Sequence, residues 1–218
     1  MDNTIFMQAA LDQAVKVSPK AVHPNPRVGC VIVQNNQIVA SGYHSAYGKE
    51  HAEIVAMKNL RQEIFEADMY VTLEPCSHYN KTPPCVDFIK KPYIKRVFYA
   101  SKDPNDKAKN GAEILRKKGI KVIEGLHENA AKKINPIFFT YHLKKRPYVI
   151  IKYAATSDGF IAKKNGDSKW ITGNLARQDG HELRSSCDSI LVGRNTVEKD
   201  NPHLTSHGKG KDPKIIIL

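Results

Sequence analysis

The stretch VTLEPCSHYNKTPPC, Val71–Cys85, holds two of the chain's four cysteines, one histidine and three prolines. Three readings are open: a disulfide loop, a zinc site, or a turn with two buried thiols. The flanks narrow the choice. Met69–Leu73 is a short apolar run with strand character, and a helix ending near Lys91 follows the stretch. Arg96–Ala100 is the next strand. EPC, Glu74–Cys76, is thereby read as opening a helix after a strand, inside an alternation of strands and helices that predicts a three-layer α/β domain.

The same alternation extends outward. Phe6, Ala10, Ala14 and Val17 recur at helical spacing over Thr4–Val17, with Asp2–Thr4 offering caps. HPNPRVG, His23–Gly29, reads as a rigid loop, because each proline fixes its own φ and restrains its neighbour. Cys30–Val33, a turn at Asn35–Asn36 and Ile38–Tyr43 make a hairpin. Helices are predicted at Glu50–Gln62, Gly111–Lys118, His127–Asn135 and Ile137–Lys144, with a strand at Lys121–Glu124.

KKRPY, Lys144–Tyr148, is charged and broken by proline, and it divides a domain at 1–145 from one at 146–218. The second is predicted to hold a strand at Tyr148–Ala155, an amphipathic helix at Asn174–Ser186, and strands at Ser189–Gly193 and Lys214–Leu218. Ending on an apolar strand, it looks unfinished. Such an exposed edge favours pairing with a second copy, so a homo-oligomer is an expectation.

Bulk composition excludes several classes. Hydrophobic residues make up 41% and charged residues 26% of 218, as in ordinary globular chains. No apolar run approaches the ~20 residues of a membrane span. MDNTIFMQAALDQAVKV has two early aspartates and no basic leader, so a cytoplasmic location is expected. The excess of 34 basic over 22 acidic residues, +12, suits nucleic acid or phosphorylated small molecules. Only short basic tracts occur and no aromatics interleave them, which argues against a nucleic-acid partner.

Four cysteines in such a chain also argue against a disulfide framework. Cys30, in GCVIV, and Cys187, after a helical stretch, read as small core hydrophobes. Cys76 and Cys85 combine with HAE, His51–Glu53, to supply two thiolates, one imidazole and a nearby carboxylate. Zinc favours such ligands. Three protein ligands leave a position for water, which marks a catalytic site. H-x-E with a Pro-Cys corner and a second cysteine is the pattern of zinc deaminases, in which the glutamate moves protons and does not bind metal. His51, Cys76 and Cys85 are therefore the expected ligands and Glu53 the general acid/base. His78 is an alternative fourth ligand. One departure is informative: eight residues, SHYNKTPP, separate the cysteines where the compact pattern has two.

With HPNPRVG, the widened P-C-S-H-x-x-x-T-P-P-C, and DPN at Asp103–Asn105, the chain resembles a family of bifunctional riboflavin-biosynthesis enzymes, aminopyrimidine deaminases fused to a reductase. The resemblance implies a cytidine-deaminase-like α/β/α domain, followed by part of a dihydrofolate-reductase-like domain. It implies Zn2+ in the first and NADPH in the second. It carries deaminase substrate contacts onto Asn25, His44, His78, Lys81, Asp103 and Asn105. Plainer roles compete: Asn25 or Asp103 as a turn cap, Lys81 as a solvated cation. In IKYAATSDGFIA, GDSKWITG and VGRNTVEKDNPHLT it implies cofactor contacts at Ala154, Trp170, Thr196 and Asp200, and substrate contacts at Ser168, Arg184 and Leu204. Trp170 also reads as a core aromatic, Arg184 as a solvated helix residue, and Asp200 as a cap of the Asn201-Pro202 turn. Where the family often has arginine, this chain has His207. The family's reductase continues well beyond Leu218, so a complete deaminase and a deficient reductase are expected.

The implied reaction is hydrolytic deamination of a phosphorylated aminopyrimidine, with neither nucleic acid nor membrane as partner. Two rivals differ in what they predict. A nucleoside or tRNA deaminase would carry the compact P-C-x-x-C. A zinc-stabilised nucleic-acid-binding module would close its site with a fourth ligand and cluster its basic residues.

Overall fold

A computed structural model describes residues 2–79, 82–108 and 110–218. The chain divides into two compact units, Met1–Val149 and Ile150–Leu218.

In the first unit, Asp2 caps α1 (Asn3–Ala14) by accepting the Thr4 N–H. The buried face of α1 is Met7, Ala10, Leu11 and Ala14, so Met7 and Leu11 point inward where the spacing had favoured Phe6. A short α2 (Pro19–Val22), capped by Ser18, was not anticipated. β1 (Gly29–Gln34) and β2 (Gln37–Tyr43) form the expected hairpin. Asn35 and Asn36 both take positive φ, 50° and 63°, as a tight two-residue turn of this hand requires.

α3 (Ala52–Lys58) begins later and ends earlier than predicted, because His51 is still extended and Asn59 already closes the helix. β3 (Ala67–Leu73) leads into the cysteine stretch. No helix opens at EPC. Residues 74–79 and 82–84 are loop, and α4 (Cys85–Phe88) starts only at the second cysteine. Pro75, Pro83 and Pro84 explain this, since the residue before a proline is driven out of helical geometry. α4 also stops at Phe88, short of Lys91.

β4 (Ile94–Ser101), α5 (Gly111–Lys117), β5 (Lys121–Glu124), α6 (Glu128–Lys133) and α7 (Pro136–Lys144) complete the unit. The sheet order is β2-β1-β3-β4-β5, with β1 antiparallel to both neighbours and β3, β4 and β5 parallel.

Strand residues alternate between two cores, as the twofold period of a strand demands. Cys30, Ile32, Met69, Val71, Val97 and Tyr99 face α3, α4 and α5. Val31, Val33, Tyr70, Phe98 and Ala100 face α1 and α6. Tyr70 stacks on Phe98 at 4.5 Å and meets Phe6 at 5.3 Å. The three-layer α/β/α architecture is as anticipated.

The second unit holds α8 (Asn174–Ser185), β6 (Ser189–Val192), α9 (Arg194–Asp200) and β7 (Lys214–Ile217), with β6 and β7 parallel. α9 was not predicted. The predicted strand at Tyr148–Ala155 is absent: the segment is irregular, with Ile151 84% and Tyr153 77% exposed. An apolar run becomes a strand only with a neighbour to share its hydrogen bonds, and β6 and β7 pair with each other. No helix among the described residues is long and apolar enough to cross a membrane.

α3 sits unusually close to β2. A Cβ on Gly42 would lie 2.4 Å from Ala56 N and 2.6 Å from Ala52 O, so only glycine admits this approach. Gly42→Ala is expected to cost about 1–3 kcal/mol, as overpacking does, read as a lowered urea midpoint, and to loosen the helix that follows His51.

Candidate metal centre and active site

His51 occupies the N-cap of α3, yet its side chain makes no capping bond. Instead its Nδ1 lies 3.2 Å from Cys85 Sγ and 3.4 Å from Cys76 Sγ. The three ligand atoms all lie within 4.8 Å of one another. Tetrahedral zinc with bonds of about 2.0–2.3 Å needs its ligand atoms ~3.5–3.8 Å apart, so the set fits with small adjustment. Among the described residues no fourth metal-binding side chain joins the group, and His78 stays outside it. All four cysteines are free thiols.

The thiols are held from two sides. Cys76 lies in the loop and receives the Cys85 N–H at 3.4 Å. The first amide of α4, and not a helix of Cys76's own, therefore supports that sulfur. The hydrogen bond from the Cys85 thiol brings Cys76 down to about 4, with His51 adding to the effect against burial. Sharing that proton, and then burial and the Glu53 charge, push Cys85 well up. Burial opposes the charged form of His51, but the Cys76 contact and Glu53 outweigh it and raise His51 to about 8. Metal binding by this set therefore releases protons.

Glu53, in the first turn of α3, is 3% exposed. Burial raises its pKa, and the charge of His51 opposes the rise. The carboxylate is thus beside the ligands without being one of them.

Glu74, which the EPC pattern leaves without a role, has a structural one. It is buried and accepts from Asp103 N at 3.4 Å and from Ala112 N at 3.0 Å. Pro75 O packs against Gly111, where a Cβ would lie 1.8 Å away. The corner before Cys76 is therefore bolted to the DPN loop and to the start of α5. Asp103 in turn accepts the Asn105 N–H at 2.8 Å, so it does cap its own turn. Burial pushes Asp103 up to about 7, against that hydrogen bond.

A cavity lined by His51, Glu53 and Cys76 also takes in Asn25, His44, His78, Asp103 and Asn105. His44 Nδ1 is 3.0 Å from Glu50 O, and its Nε2 is 3.1 Å from Asn25 Nδ2. A carbonyl only accepts, so Nδ1 carries the proton and Nε2 accepts from the amide. Burial lowers the pKa of His44, in keeping with this neutral form. Among the described residues His78 Nδ1 is buried with no hydrogen-bond partner. Lys81 lies outside the described residues. The cavity further takes in Tyr47, Lys49, Thr82 and Phe138, which the sequence reading had not singled out. Lys49 stands two residues before His51 and was there to be noticed. Phe138, on α7, carried no local signal.

The candidates in the second unit are spread along it. Arg184 Nη1 donates to Thr205 O at 2.7 Å and to His203 O at 3.3 Å, which ties α8 to the backbone on either side of buried Leu204. Trp170 is 72% exposed, not a core aromatic, and lies under the Arg177 guanidinium at 4.2 Å. Ala154 is half-buried. Ser168, Thr196 and Asp200 are exposed, and Asp200 ends α9.

Comparison with known proteins agrees with this geometry. Residues 4–101 match the cytidine and deoxycytidylate deaminase zinc-binding region, and residues 147–217 match the RibD C-terminal domain. The riboflavin biosynthesis protein RibD of Actinobacillus pleuropneumoniae is 50% identical over 197 residues, covering 89% of this chain and 52% of that protein. RibD of Aquifex aeolicus is 46% identical over 216 residues, covering 98% and 60%. A diaminohydroxyphosphoribosylaminopyrimidine deaminase/5-amino-6-(5-phosphoribosylamino)uracil reductase from Thermotoga maritima superposes with a TM-score of 0.83 at 46% identity, covering 99% of this chain and 62% of that one. The chain thus spans roughly half to three-fifths of the length of these relatives. The donor set and spacing of His51, Cys76 and Cys85 fit Zn2+, and all three lie within the residues that match a zinc-binding region.

Cys85→Ser is expected to weaken zinc binding at least about tenfold, since a hard hydroxyl replaces a soft thiolate. Metal analysis after dialysis checks it. Glu53→Gln should keep its zinc in the same measurement.

Proposed function

We propose that this chain, which belongs to the RibD family over the part of those proteins that it spans, deaminates 2,5-diamino-6-(5-phosphoribosylamino)pyrimidin-4-one to 5-amino-6-(5-phosphoribosylamino)uracil by hydrolysis. The observation that carries the reading is Glu53, buried beside the three zinc ligands in the one cavity that also gathers Asn25, His78, Asp103 and Asn105.

Zinc, when bound, supplies Lewis acidity that makes a water reactive near neutral pH. The remaining work belongs to the chain. Glu53 would take one proton from the attacking water and give it to the ring nitrogen as the C–O bond forms, then carry the remaining hydroxyl proton to the amine as the C–N bond breaks, so that ammonia leaves and a carbonyl remains. Burial raises its pKa toward the range in which a carboxylate both accepts and gives a proton. With its amide nitrogen held by His44, Asn25 keeps Oδ1 as an acceptor for an N–H of the pyrimidine. Asp103 and Asn105, fixed through Glu74, supply further polar contacts on the same cavity. His78 offers a ring nitrogen without a described partner, suited to the ribosyl phosphate. Lys81 would add charge for that phosphate.

The second unit, by its likeness to the RibD C-terminal domain, corresponds to the segment that in the longer relatives begins an NADPH-dependent reductase. There Ala154, Trp170, Thr196 and Asp200 would meet the cofactor, and Ser168, Arg184 and Leu204 the substrate. Reduction of the ribosyl side chain would follow deamination, in the cytoplasm, on the route to riboflavin. A domain boundary at 145/146 fits this division of labour. Nothing in the cavity calls for a nucleic-acid partner.

The test is ammonia release by the purified chain from the diaminopyrimidine ribosyl phosphate, from cytidine and from a tRNA hairpin. Release is expected from the first alone. Glu53→Gln should lower kcat about 10²–10⁴-fold. Activity only on cytidine or tRNA would overturn the substrate, and an undiminished Glu53→Gln variant would overturn the proton route.

A further inference from the structure

The cavity is completed by a segment far from every motif in the sequence: the junction of α6 and α7. Asn135, between those helices, is 9% exposed. Its Oδ1 accepts from Arg27 N at 2.8 Å and its Nδ2 donates to Arg27 O at 2.9 Å. One side chain thus makes the paired contact that facing residues exchange in an antiparallel ladder. The partners are 108 positions apart in sequence. The Arg27 guanidinium reinforces the joint by donating through Nη2 to Ile134 O.

Arg27 stands two residues after Asn25, in HPNPRVG. On its other side the loop is held by Asn25 N donating to Val22 O at 2.8 Å. Asn25 therefore sits between two anchors, with Pro24 and Pro26 removing freedom from the links. The hydrogen bond from Asn25 Nδ2 to His44 holds the side-chain amide, and the second anchor holds the backbone from which it projects.

Three residues beyond Asn135, Phe138 lines the cavity. His142 braces its ring at 4.6 Å and Phe139 meets it edge-on at 5.6 Å. Phe139 is itself buried. The groups contributed by the motifs are mostly polar: Asn25, Glu53, His78, Asp103 and Asn105. A planar heterocycle also needs an apolar surface for its face, and a braced phenyl ring provides one.

We propose that the α6–α7 junction belongs to the deaminase site, with Asn135 as the positioning residue for Asn25 and Phe138 as the aromatic wall against which the aminopyrimidine ring rests. This rests on the reading of the site given above. The motif residues set the chemistry, and the junction sets how tightly the substrate is held in line with it.

The experiment is steady-state deamination of the diaminopyrimidine ribosyl phosphate by the full chain and four variants: Asn135→Ala, Asn135→Asp, Phe138→Ala and Phe138→Tyr. Zinc content and thermal midpoint are recorded for each. Both alanine variants are expected to raise KM about tenfold or more with a smaller change in kcat and full zinc. Phe138→Tyr should keep KM near the wild-type value. Asn135→Asp retains the acceptor for Arg27 N but loses the donor to Arg27 O, so its KM should fall between wild type and alanine. Because Phe138 is only half-buried, its variants remain informative if those at Asn135 fold poorly. An active wild type with unchanged KM in the alanine variants, whatever their thermal midpoints, overturns this inference alone. A wild-type chain with no activity on this substrate overturns the reading of the site and the inference with it.

Discussion

One imidazole and two thiols from three separate segments must meet within a few ångströms, and much of the first unit is arranged around that requirement. His51 ends the extended stretch after β2, Cys76 lies in a loop after β3, and Cys85 begins α4. Their convergence depends on how close the layers lie. α3 reaches His51 to the right depth because Gly42 lets it rest on β2 almost backbone to backbone. The loop from Glu74 holds its course because Glu74 bonds the amides of Asp103 and Ala112 and because Gly111 yields to Pro75. A thiolate in a dry interior is costly unless charge and hydrogen bonds compensate it. Here the imidazole, the Cys85 thiol and its amide are all placed to do so.

The Glu74 carboxylate links the cysteine loop to the polar wall of the cavity. Through Asp103 N, Glu74 ties the cysteine loop to DPN, so Asp103 and Asn105 share a frame with the candidate metal ligands. On the opposite side, Asn135 does for HPNPRVG what Glu74 does for DPN. Both are buried polar side chains spending their bonds on main-chain groups of loops. Loops placed this way resemble secondary structure in rigidity, because their amides and carbonyls have fixed partners. Differential burial then gives each acid its character: Glu53 and Asp103 are both pushed up by desolvation, and His51 meets each of them with an opposing charge.

The second unit shows the limit of reading short apolar runs. KIII at Lys214–Ile217 and SILV at Ser189–Val192 become strands by pairing with each other. Tyr148–Ala155 is as apolar as either and stays irregular. The difference lies in whether a partner is there to take its hydrogen bonds, and no local pattern records that. Arg184 and Leu204 illustrate the reverse case, with two distant positions drawn together by guanidinium bonds to the His203 and Thr205 carbonyls.

What was legible in the linear chain follows from local physics. Strand period, helix spacing, the positive-φ turn at Asn35–Asn36 and the H-x-E and Pro-Cys patterns act over a few residues, and from them came the three-layer fold and the His51, Cys76, Cys85 and Glu53 candidates that the structure brings together. Helix starts were less legible. The prolines between Cys76 and Cys85 carry the reason α4 waits until Cys85, but EPC alone suggested otherwise. Tertiary structure alone decided that His44 spends its nitrogens on Asn25 and Glu50, that Glu74 is a bracket, that Asn135 holds the Arg27 backbone, and that Phe138 lines the cavity. Apart from the His44–Glu50 contact, six positions apart, those roles rest on contacts between residues 19 to 108 positions apart. Spacing along the chain says nothing about such contacts until the sheet order and the depth of each helix are known.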